Sequence, residues 1–316
     1  MKIVVLDGHA LNPGDLSWED FKKLGDFSLY DRTSKENVIE RIGDAEILIT
    51  NKISITKEIM DKCPNLKYIG VLATGYNIID IQAASEKSIV VTNIPAYSTK
   101  AVAQAVFAFI LEFTNGVSSH NQSVQQGDWC AAKDFCYWKH PLMELENKTL
   151  GIIGYGSIGK QVAKIADSFG MNILAYTRTP SKVQLPAQVV SLENLLKNSD
   201  FISLHAPLTE ETKHIINEQT IKQIKPGAML INTARGPLVD ERAVKQALEQ
   251  NKLSAYATDV LSTEPMAEDC PLLNTPNTII TPHVAWAAYE TRQRLMKIAK
   301  ENLQAFLADK PINQVN

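Results

Sequence analysis

Residues 151–170 read GIIGYGSIGKQVAKIADSFG, an apolar run followed by glycines and then by a helical pattern. Gly154, Gly156 and Gly159 form the pattern GxGxxG directly after the apolar run. The first glycine permits a tight turn, the second lets the backbone approach a pyrophosphate, and the third allows a helix to pack closely on a strand. Free N–H groups at the helix start attract negative charge. The stretch therefore predicts a dinucleotide-binding strand–turn–helix unit, and a glycine-rich turn that only packs a helix is the alternative.

Short β-rich runs alternate with helical patterns on both sides of this stretch. The later runs are TLGIIG (149–154), NILAYT (172–177), DFISLHA (200–206), AMLINTA (228–234), SAYATDV (254–260) and NTIITP (277–282). The earlier runs are KIVVLD (2–7), FSLYD (27–31), EILIT (46–50), YIGVLAT (68–74) and SIVVTN (88–93). Long helical patterns begin near Thr99 and at Tyr289. This alternation predicts an α/β protein with two doubly wound parallel-sheet domains.

Composition narrows the class of protein. The chain has 316 residues, which is more than one core usually holds, and its 45% hydrophobic content supplies two cores. A net charge of −3 without a basic run gives no field for nucleic acid or an anionic membrane. The four cysteines form no CxxC pair, and the chain begins with a strand rather than a signal sequence. We therefore expect a cytoplasmic protein that binds no nucleic acid, membrane or metal.

The residues after the second strand of the later set indicate which dinucleotide is bound. NAD sites usually carry an Asp or Glu there, which accepts hydrogen bonds from the ribose 2′-hydroxyl. Here Thr177 and Arg178 follow the strand, and no carboxylate occurs before Glu193. Arg178, with Lys182 nearby, can pair with a 2′-phosphate. The pattern favours NADP(H) over NAD(H), and an Arg178 that is solvated or stacked on adenine is the alternative.

Three polar residues of different kinds follow successive predicted strands. Arg235 lies in INTARGPLVD, Glu264 in DVLSTEP and His283 in TPHVAWA. Ligands of open α/β sheets bind beyond the carboxyl ends of the strands, so we expect these side chains to face one cleft. A cation such as Arg235 can pair with a substrate carboxylate. A carboxylate beside an imidazole orients the ring so that it can donate or accept a proton. A lone histidine beside an apolar run is otherwise more often a core residue.

The motifs GYGSIG, HAPLTEET, NTARG, DVLSTEP and TPHVAWA occur in the order and spacing of a known family. On these motifs the chain resembles the D-isomer-specific 2-hydroxyacid dehydrogenases over its whole length, including LKYIGVLATGYNIID in the first half. ATGYN and the Trp of TPHVAWA make it most similar to the glycerate dehydrogenase and hydroxypyruvate reductase branch. The resemblance implies a flavodoxin-like substrate domain (1–98 and 286–316), a Rossmann cofactor domain (99–285) and an active site in the cleft between them.

The resemblance also assigns residues to roles. The resemblance implies that His283 is the acid/base, that Glu264 is its partner and that Arg235 binds the 2-oxo acid. The cofactor contacts are implied at Gly154, Tyr155, Gly156, Ser157, Ile158, Gly159, Thr177, Arg178, His205, Pro207, Thr212, Thr233, Ala234, Arg235, Asp259, His283 and Ala285. Asp259 is expected to bind the nicotinamide carboxamide, and His205 is expected to be structural rather than catalytic. Thr177 departs from the Asp of NAD-using relatives.

Substrate contacts are implied at Ala73, Thr74 and Gly75, whose N–H groups would bind the carboxylate, and at Arg235 and His283. Tyr76, Trp286 and Trp138 are candidates for the walls of the pocket, with ordinary packing as the alternative for each. The predicted reaction is NAD(P)H-dependent reduction of hydroxypyruvate, or of glyoxylate less well, and its reverse.

The segment GDWCAAKDFCYWKHPLMEL resembles the arm through which family members form homodimers by their cofactor domains. Its aromatic residues serve equally well as local core. The alternatives to the predicted reaction are 3-phosphoglycerate dehydrogenase, another D-2-hydroxyacid dehydrogenase or formate dehydrogenase on the same scaffold, and a non-enzymatic dinucleotide-sensing corepressor-like protein.

Overall fold

The structure is a computed structural model that describes all 316 residues. The chain divides into two compact units. Unit 1 comprises Met1–Ser98 and Ala287–Asn316, and unit 2 comprises Thr99–Trp286. The backbone therefore passes from one unit to the other after Ser98 and again after Trp286.

Unit 1 contains a five-stranded parallel sheet with the strand order β2-β1-β3-β4-β5. Its strands are β1 (Lys2–Val5), β2 (Asp26–Leu29), β3 (Ile47–Thr50), β4 (Tyr68–Val71) and β5 (Val90–Thr92), and its helices are α1 (Glu19–Lys22), α2 (Val38–Ile42), α3 (Lys57–Lys62), α4 (Ile81–Glu86) and α11 (Tyr289–Leu307). The central strands β3 and β4 are buried along their whole length, as expected of a parallel sheet covered on both faces. The strand order is that of flavodoxin-like proteins.

Unit 2 contains a seven-stranded parallel sheet with the order β12-β11-β10-β9-β6-β7-β8. Its strands are β6 (Thr149–Ile153), β7 (Asn172–Tyr176), β8 (Gln188–Val189), β9 (Phe201–Leu204), β10 (Ala228–Asn232), β11 (Leu253–Thr258) and β12 (Thr278–Ile280), and its helices are α5 (Thr99–Asn115), α6 (Val117–Gln125), α7 (Ser157–Ser168), α8 (Leu192–Asn198), α9 (Glu218–Gln223) and α10 (Glu241–Glu249). The order reverses between β6 and β9, which places the ligand crevice of this fold at the glycine-rich turn after β6.

Two separate hydrophobic clusters cover the faces of the unit 2 sheet. One includes Val106, Ile152 and Phe201 with helices α5 and α7, and the other includes Leu230 and Leu248 with helices α8 to α10. Apolar side chains point to alternate faces of a strand, so neighbouring residues such as Ile152 and Ile153 fall in different clusters. The prediction of two doubly wound parallel-sheet domains is confirmed.

The structure differs from the sequence-based elements at two places. The helical pattern from Thr99 is found as α5, which ends at Asn115 because Gly116 has a left-handed backbone (φ 54°), and the separate helix α6 that follows Gly116 was not predicted. The two-residue strand β8 was not predicted, because so short and exposed a strand has no hydrophobic periodicity. No single helix is long and apolar enough to cross a membrane. Helices α5 and α6 together have sufficient length and apolar content, but the chain bends by 54° between them.

Candidate active site

The glycine-rich turn after β6 has the geometry of a phosphate cradle. Gly154 has φ +97°, and a Cβ there would lie 2.5 Å from the amide nitrogen of Ala206. A Cβ at Gly159 would lie 2.3 Å from the carbonyl oxygen of Gly154, so only glycine lets α7 start so close to β6. A Cβ at Gly156 would meet no protein atom within 4 Å. The second glycine therefore leaves open space beside the helix N-terminus, where an anionic group fits.

The implied cofactor residues follow the carboxyl ends of neighbouring strands of one sheet. Tyr155, Ser157 and Ile158 belong to the turn after β6; Thr177 and Arg178 follow β7; His205, Pro207 and Thr212 follow β9; Thr233, Ala234 and Arg235 follow β10; Asp259 follows β11; His283 and Ala285 follow β12. Because β7, β6, β9, β10, β11 and β12 are consecutive in the sheet, the fold brings these residues to one edge. Tyr155 is buried in the core of unit 2, so its side chain supports the turn.

Two buried polar atoms at this edge have no protein partner. They are Nδ1 of His205 and Oγ1 of Thr233. Nε2 of His205 lies 2.8 Å from Oγ of Ser203, and burial of the ring lowers the pKa of His205 to about 3, so the imidazole is neutral at physiological pH. Buried polar atoms are normally hydrogen-bonded, and a dinucleotide at this edge would supply hydrogen-bonding groups. The residues present therefore fit a dinucleotide. Thr212 instead orders its own loop, because its Oγ1 donates to the carbonyl of Pro207 and accepts from the N–H of Thr209.

Glu264 and His283 form the pair that was expected from the sequence. Nδ1 of His283 lies 2.7 Å from Oε2 of Glu264, and Oε1 of Glu264 accepts the N–H of Leu261 at 3.0 Å. Nε2 of His283 has no protein partner, and the side chain is partly exposed. A carboxylate on one ring nitrogen and a free second nitrogen give the arrangement of a general acid/base.

Asp259 stabilises the loop that carries His283. Its carboxylate is buried and accepts three hydrogen bonds, from Oγ1 of Thr281 (2.6 Å) and from the N–H groups of Val284 (2.8 Å) and Ala285 (2.9 Å). Three donors on one buried carboxylate fix the backbone on both sides of His283. The sequence suggested only a cofactor contact for Asp259, which stays a prediction, and the bonds to the loop are a second role that the structure reveals.

Arg235 follows β10 and is partly buried. Its guanidinium donates to the carbonyl of Ala234 at 2.6 Å and forms no ion pair with a carboxylate. The adjacent Gly236 packs against the loop that carries Glu264, since a Cβ there would lie 2.0 Å from the carbonyl carbon of Leu261. A guanidinium without a counter-ion, next to the loop of the acid/base pair, is a site for an anion.

The end of β7 contains no acidic side chain. Thr177 is partly buried and its Oγ1 accepts the N–H of Thr179, while Arg178 is exposed. Arg178 lowers the pKa of Glu211 by its charge, behind the larger effects of hydrogen bonds from Thr209 and from the backbone of Glu211 itself. Glu211 belongs to the loop after β9 and accepts a hydrogen bond from Thr209, so the turn after β7 has no acidic side chain of its own.

The loop Ala73–Tyr76 belongs to unit 1, where it follows β4. Its carbonyl groups are engaged: those of Ala73 and Thr74 accept the N–H of Ile94 and the side-chain amide of Asn93. The N–H groups of Ala73, Thr74 and Gly75 donate to no protein acceptor. A loop with bonded carbonyls and free N–H groups suits a carboxylate.

The aromatic candidates lie in different environments. Tyr76 is partly exposed in unit 1, and Trp138 is 65% exposed in the segment 127–145, which forms no helix or strand. Trp286 is the last residue of unit 2, and its indole N–H donates to the carbonyl of His283 at 2.8 Å. Within unit 2 the structure thus connects Trp286 with the acid/base pair and leaves Trp138 at the surface.

Comparison with known proteins identifies the family. Residues 107–285 match the model of the D-isomer specific 2-hydroxyacid dehydrogenase, NAD binding domain. A hydroxypyruvate reductase of Blautia hydrogenotrophica is 49% identical, with 100% of both chains covered. A glycerate dehydrogenase of Methylorubrum extorquens is 38% identical over 99% of this chain and 98% of that protein. The solved structure of an acyclic imino acid reductase in complex with NADPH and D-Arg has a TM-score of 0.88 at 34% identity, with both chains fully covered.

This chain belongs to the D-isomer-specific 2-hydroxyacid dehydrogenase family. The family resemblance and the prediction of an oxidoreductase that uses a nicotinamide dinucleotide are thereby confirmed. The non-enzymatic alternative is not favoured, because the relatives are named as a reductase and a dehydrogenase and the similarity covers 98% or more of each of them.

Proposed function

We propose that this protein reduces hydroxypyruvate to D-glycerate, and glyoxylate less well, and that it catalyses the reverse oxidation. The observation that carries the proposal is the Glu264–His283 pair with its free Nε2, at the same sheet edge as an unpaired Arg235 and the glycine-rich turn. The hydroxypyruvate reductase and glycerate dehydrogenase named above support the choice of substrate.

His283 serves as the acid in the reducing direction. Nδ1 is held by Glu264, which stabilises the imidazolium, and Nε2 gives its proton to the carbonyl oxygen of the substrate. In the oxidising direction the same nitrogen takes the proton back. Because the pair is only partly buried, His283 re-equilibrates with solvent between turnovers.

Arg235 binds the substrate and offsets charge that develops on its carbonyl oxygen. The guanidinium has five donors and one of them is used within the protein, so the others are available to a 2-oxo acid. The free N–H groups of Ala73, Thr74 and Gly75 bind the substrate carboxylate. Tyr76, Trp138 and Trp286 limit the size of the group on carbon 2.

The dinucleotide supplies the hydride when it is bound. The turn Gly154–Gly159 would hold the pyrophosphate, and the unpaired atoms of His205 and Thr233 would form hydrogen bonds with the bound dinucleotide. The lack of a carboxylate after β7 supports a preference for NADP(H), because no acidic side chain of this turn accepts the ribose 2′-hydroxyl or repels a 2′-phosphate.

The protein assembles as a two-fold homodimer through unit 2. The segment 127–145 exposes Trp129 (53%), Phe135 (87%), Trp138 (65%) and Leu142 (55%), and such an apolar patch suits a protein interface. Light scattering at micromolar concentration should give the mass of a dimer, and a monomer would rule out this assembly.

The reaction is tested by incubation of the purified protein with hydroxypyruvate and either NADH or NADPH. We expect cofactor oxidation with both and a higher kcat/KM with NADPH, and chiral chromatography should identify D-glycerate as the product. Absence of turnover with any 2-oxo acid, despite dinucleotide binding measured by fluorescence, would refute the proposed function.

A further inference from the structure

His283 has an unusual backbone conformation. Its φ is 56°, in the left-handed region that non-glycine residues rarely adopt, and its N–H donates to the carbonyl of Thr281 across Pro282. A side chain in this conformation is crowded by its own backbone, so surrounding contacts must hold it there. The direction in which the imidazole leaves the main chain depends on this conformation.

Two side chains, those of Asp259 and Trp286, form hydrogen bonds with the loop that carries His283. The carboxylate of Asp259 accepts hydrogen bonds from Thr281, Val284 and Ala285, which flank His283 but do not include it. The carbonyl of His283 itself accepts one hydrogen bond, from the indole N–H of Trp286. Trp286 is therefore the side chain that acts directly on the peptide group of the acid/base residue.

We propose that Trp286 is a positioning residue, whose indole N–H holds the carbonyl of His283 and so keeps its imidazole against Glu264 with Nε2 free. This inference rests on the proposed function of His283. It gives Trp286 a second role beside that of a pocket wall, because a wall needs the aromatic surface whereas positioning needs the N–H donor.

Two variants separate these roles. Trp286→Phe keeps an aromatic ring and removes the donor. Trp286→Gln removes the ring and places an amide N–H at the same number of bonds from Cα as the indole N–H. Trp18→Phe is the control for a tryptophan substitution, because Trp18 packs against Phe21 and Phe27 in unit 1, outside the site.

For Trp286→Phe we expect kcat for hydroxypyruvate to fall about 10-fold, part of the ~10²-fold or more that positioned acid–base catalysis provides, with KM changed less than about twofold. Trp286→Gln should restore part of kcat, because it returns an N–H donor without the ring. Trp18→Phe should match the wild type.

Three results would overturn the positioning role. They are a wild-type kcat in Trp286→Phe, a rise in KM alone in that variant, and a larger loss of kcat in Trp286→Gln than in Trp286→Phe. Circular dichroism and dinucleotide binding verify folding, and if Trp286→Phe is unfolded, the comparison of Trp286→Gln with the wild type decides. A wild-type protein that reduces another 2-oxo acid but not hydroxypyruvate would refute the proposed substrate, and the same variants would then be measured with that acid.

Discussion

The hydrogen bond between Glu264 and His283 gives the sharpest prediction for a single residue. His283→Ala should lower turnover by at least about 10²-fold, because it removes the group that is proposed to give a proton to the substrate oxygen, and dinucleotide binding should persist. Steady-state kinetics and fluorescence titration measure the two effects. His214→Asn is a matched control, since His214 is an exposed histidine of unit 2 with a left-handed backbone that asparagine tolerates. Turnover unchanged in His283→Ala would remove the histidine from the mechanism.

Thr177, at the end of β7, is the residue that we expect to set the choice between NADPH and NADH. Thr177→Asp introduces a carboxylate that accepts the ribose 2′-hydroxyl and repels a 2′-phosphate, so the ratio of kcat/KM for NADPH to that for NADH should fall at least about 10-fold. Thr179→Asp, two residues further along the same exposed turn, is the control. A wild-type preference for NADH of tenfold or more would show that the inference from Thr177 and Arg178 is wrong.

His205 makes stability depend on pH. Burial lowers its pKa to about 3, whereas in the unfolded chain it titrates near 6.5. The unfolded chain alone binds a proton between these values, so His205 should reduce the free energy of unfolding as pH falls from about 6.5, by roughly 1.4 kcal/mol per pH unit. In His205→Gln, the loss of stability between pH 7.5 and pH 5 should be smaller by about 2 kcal/mol, as measured by denaturant unfolding. Equal losses in both proteins would contradict the burial of an uncharged imidazole.

At the scale of elements, the glycine-rich turn offers a matched pair of variants. Gly156→Ala places a methyl group where no protein atom lies within 4 Å, so the fold should be retained while dinucleotide affinity falls at least about 10-fold. Gly159→Ala forces a Cβ to 2.3 Å from the carbonyl oxygen of Gly154, so that variant should lose stability as well. Thermal unfolding and fluorescence titration separate the two effects. Unchanged affinity in Gly156→Ala would place the pyrophosphate elsewhere.

The sequence predicted strands better than the loops that follow them. Apolar runs predicted eleven of the twelve strands. The rule that ligands bind beyond the carboxyl ends of the strands predicted that Glu264 and His283 lie at one edge, and their side chains are 2.7 Å apart there. The loop after β12 could not be predicted in the same way. Its left-handed His283 and the bond from Trp286 depend on a buried Asp259 that is 25 residues distant in sequence from Val284. No local pattern encodes such a contact.

At the scale of the whole molecule, each unit provides a different part of the proposed chemistry. Unit 2 provides the glycine-rich turn, Arg235 and the acid/base pair, and unit 1 provides the loop Ala73–Tyr76 with its free N–H groups. The sequence predicted both sheets because most strands of each sheet are buried apolar runs, such as β3 and β4 in unit 1 and β9 and β10 in unit 2. It did not predict which side chains within a unit remain without partners, such as Oδ1 of Asn51 or Oγ1 of Thr233, because burial and pairing arise only from the packed structure.

The proposed substrate is a small 2-oxo acid that carries a hydroxyl group. This assignment is tested most directly by kcat/KM for hydroxypyruvate, glyoxylate, pyruvate and 2-oxoisocaproate at one pH with saturating NADPH. A site that hydrogen-bonds a hydroxyl strongly rejects the analogue without it, and large aromatic walls exclude a branched chain. We therefore expect hydroxypyruvate to have the highest value, glyoxylate a lower one, and pyruvate and 2-oxoisocaproate to react slowly. A clear preference for pyruvate or 2-oxoisocaproate would contradict the substrate assignment.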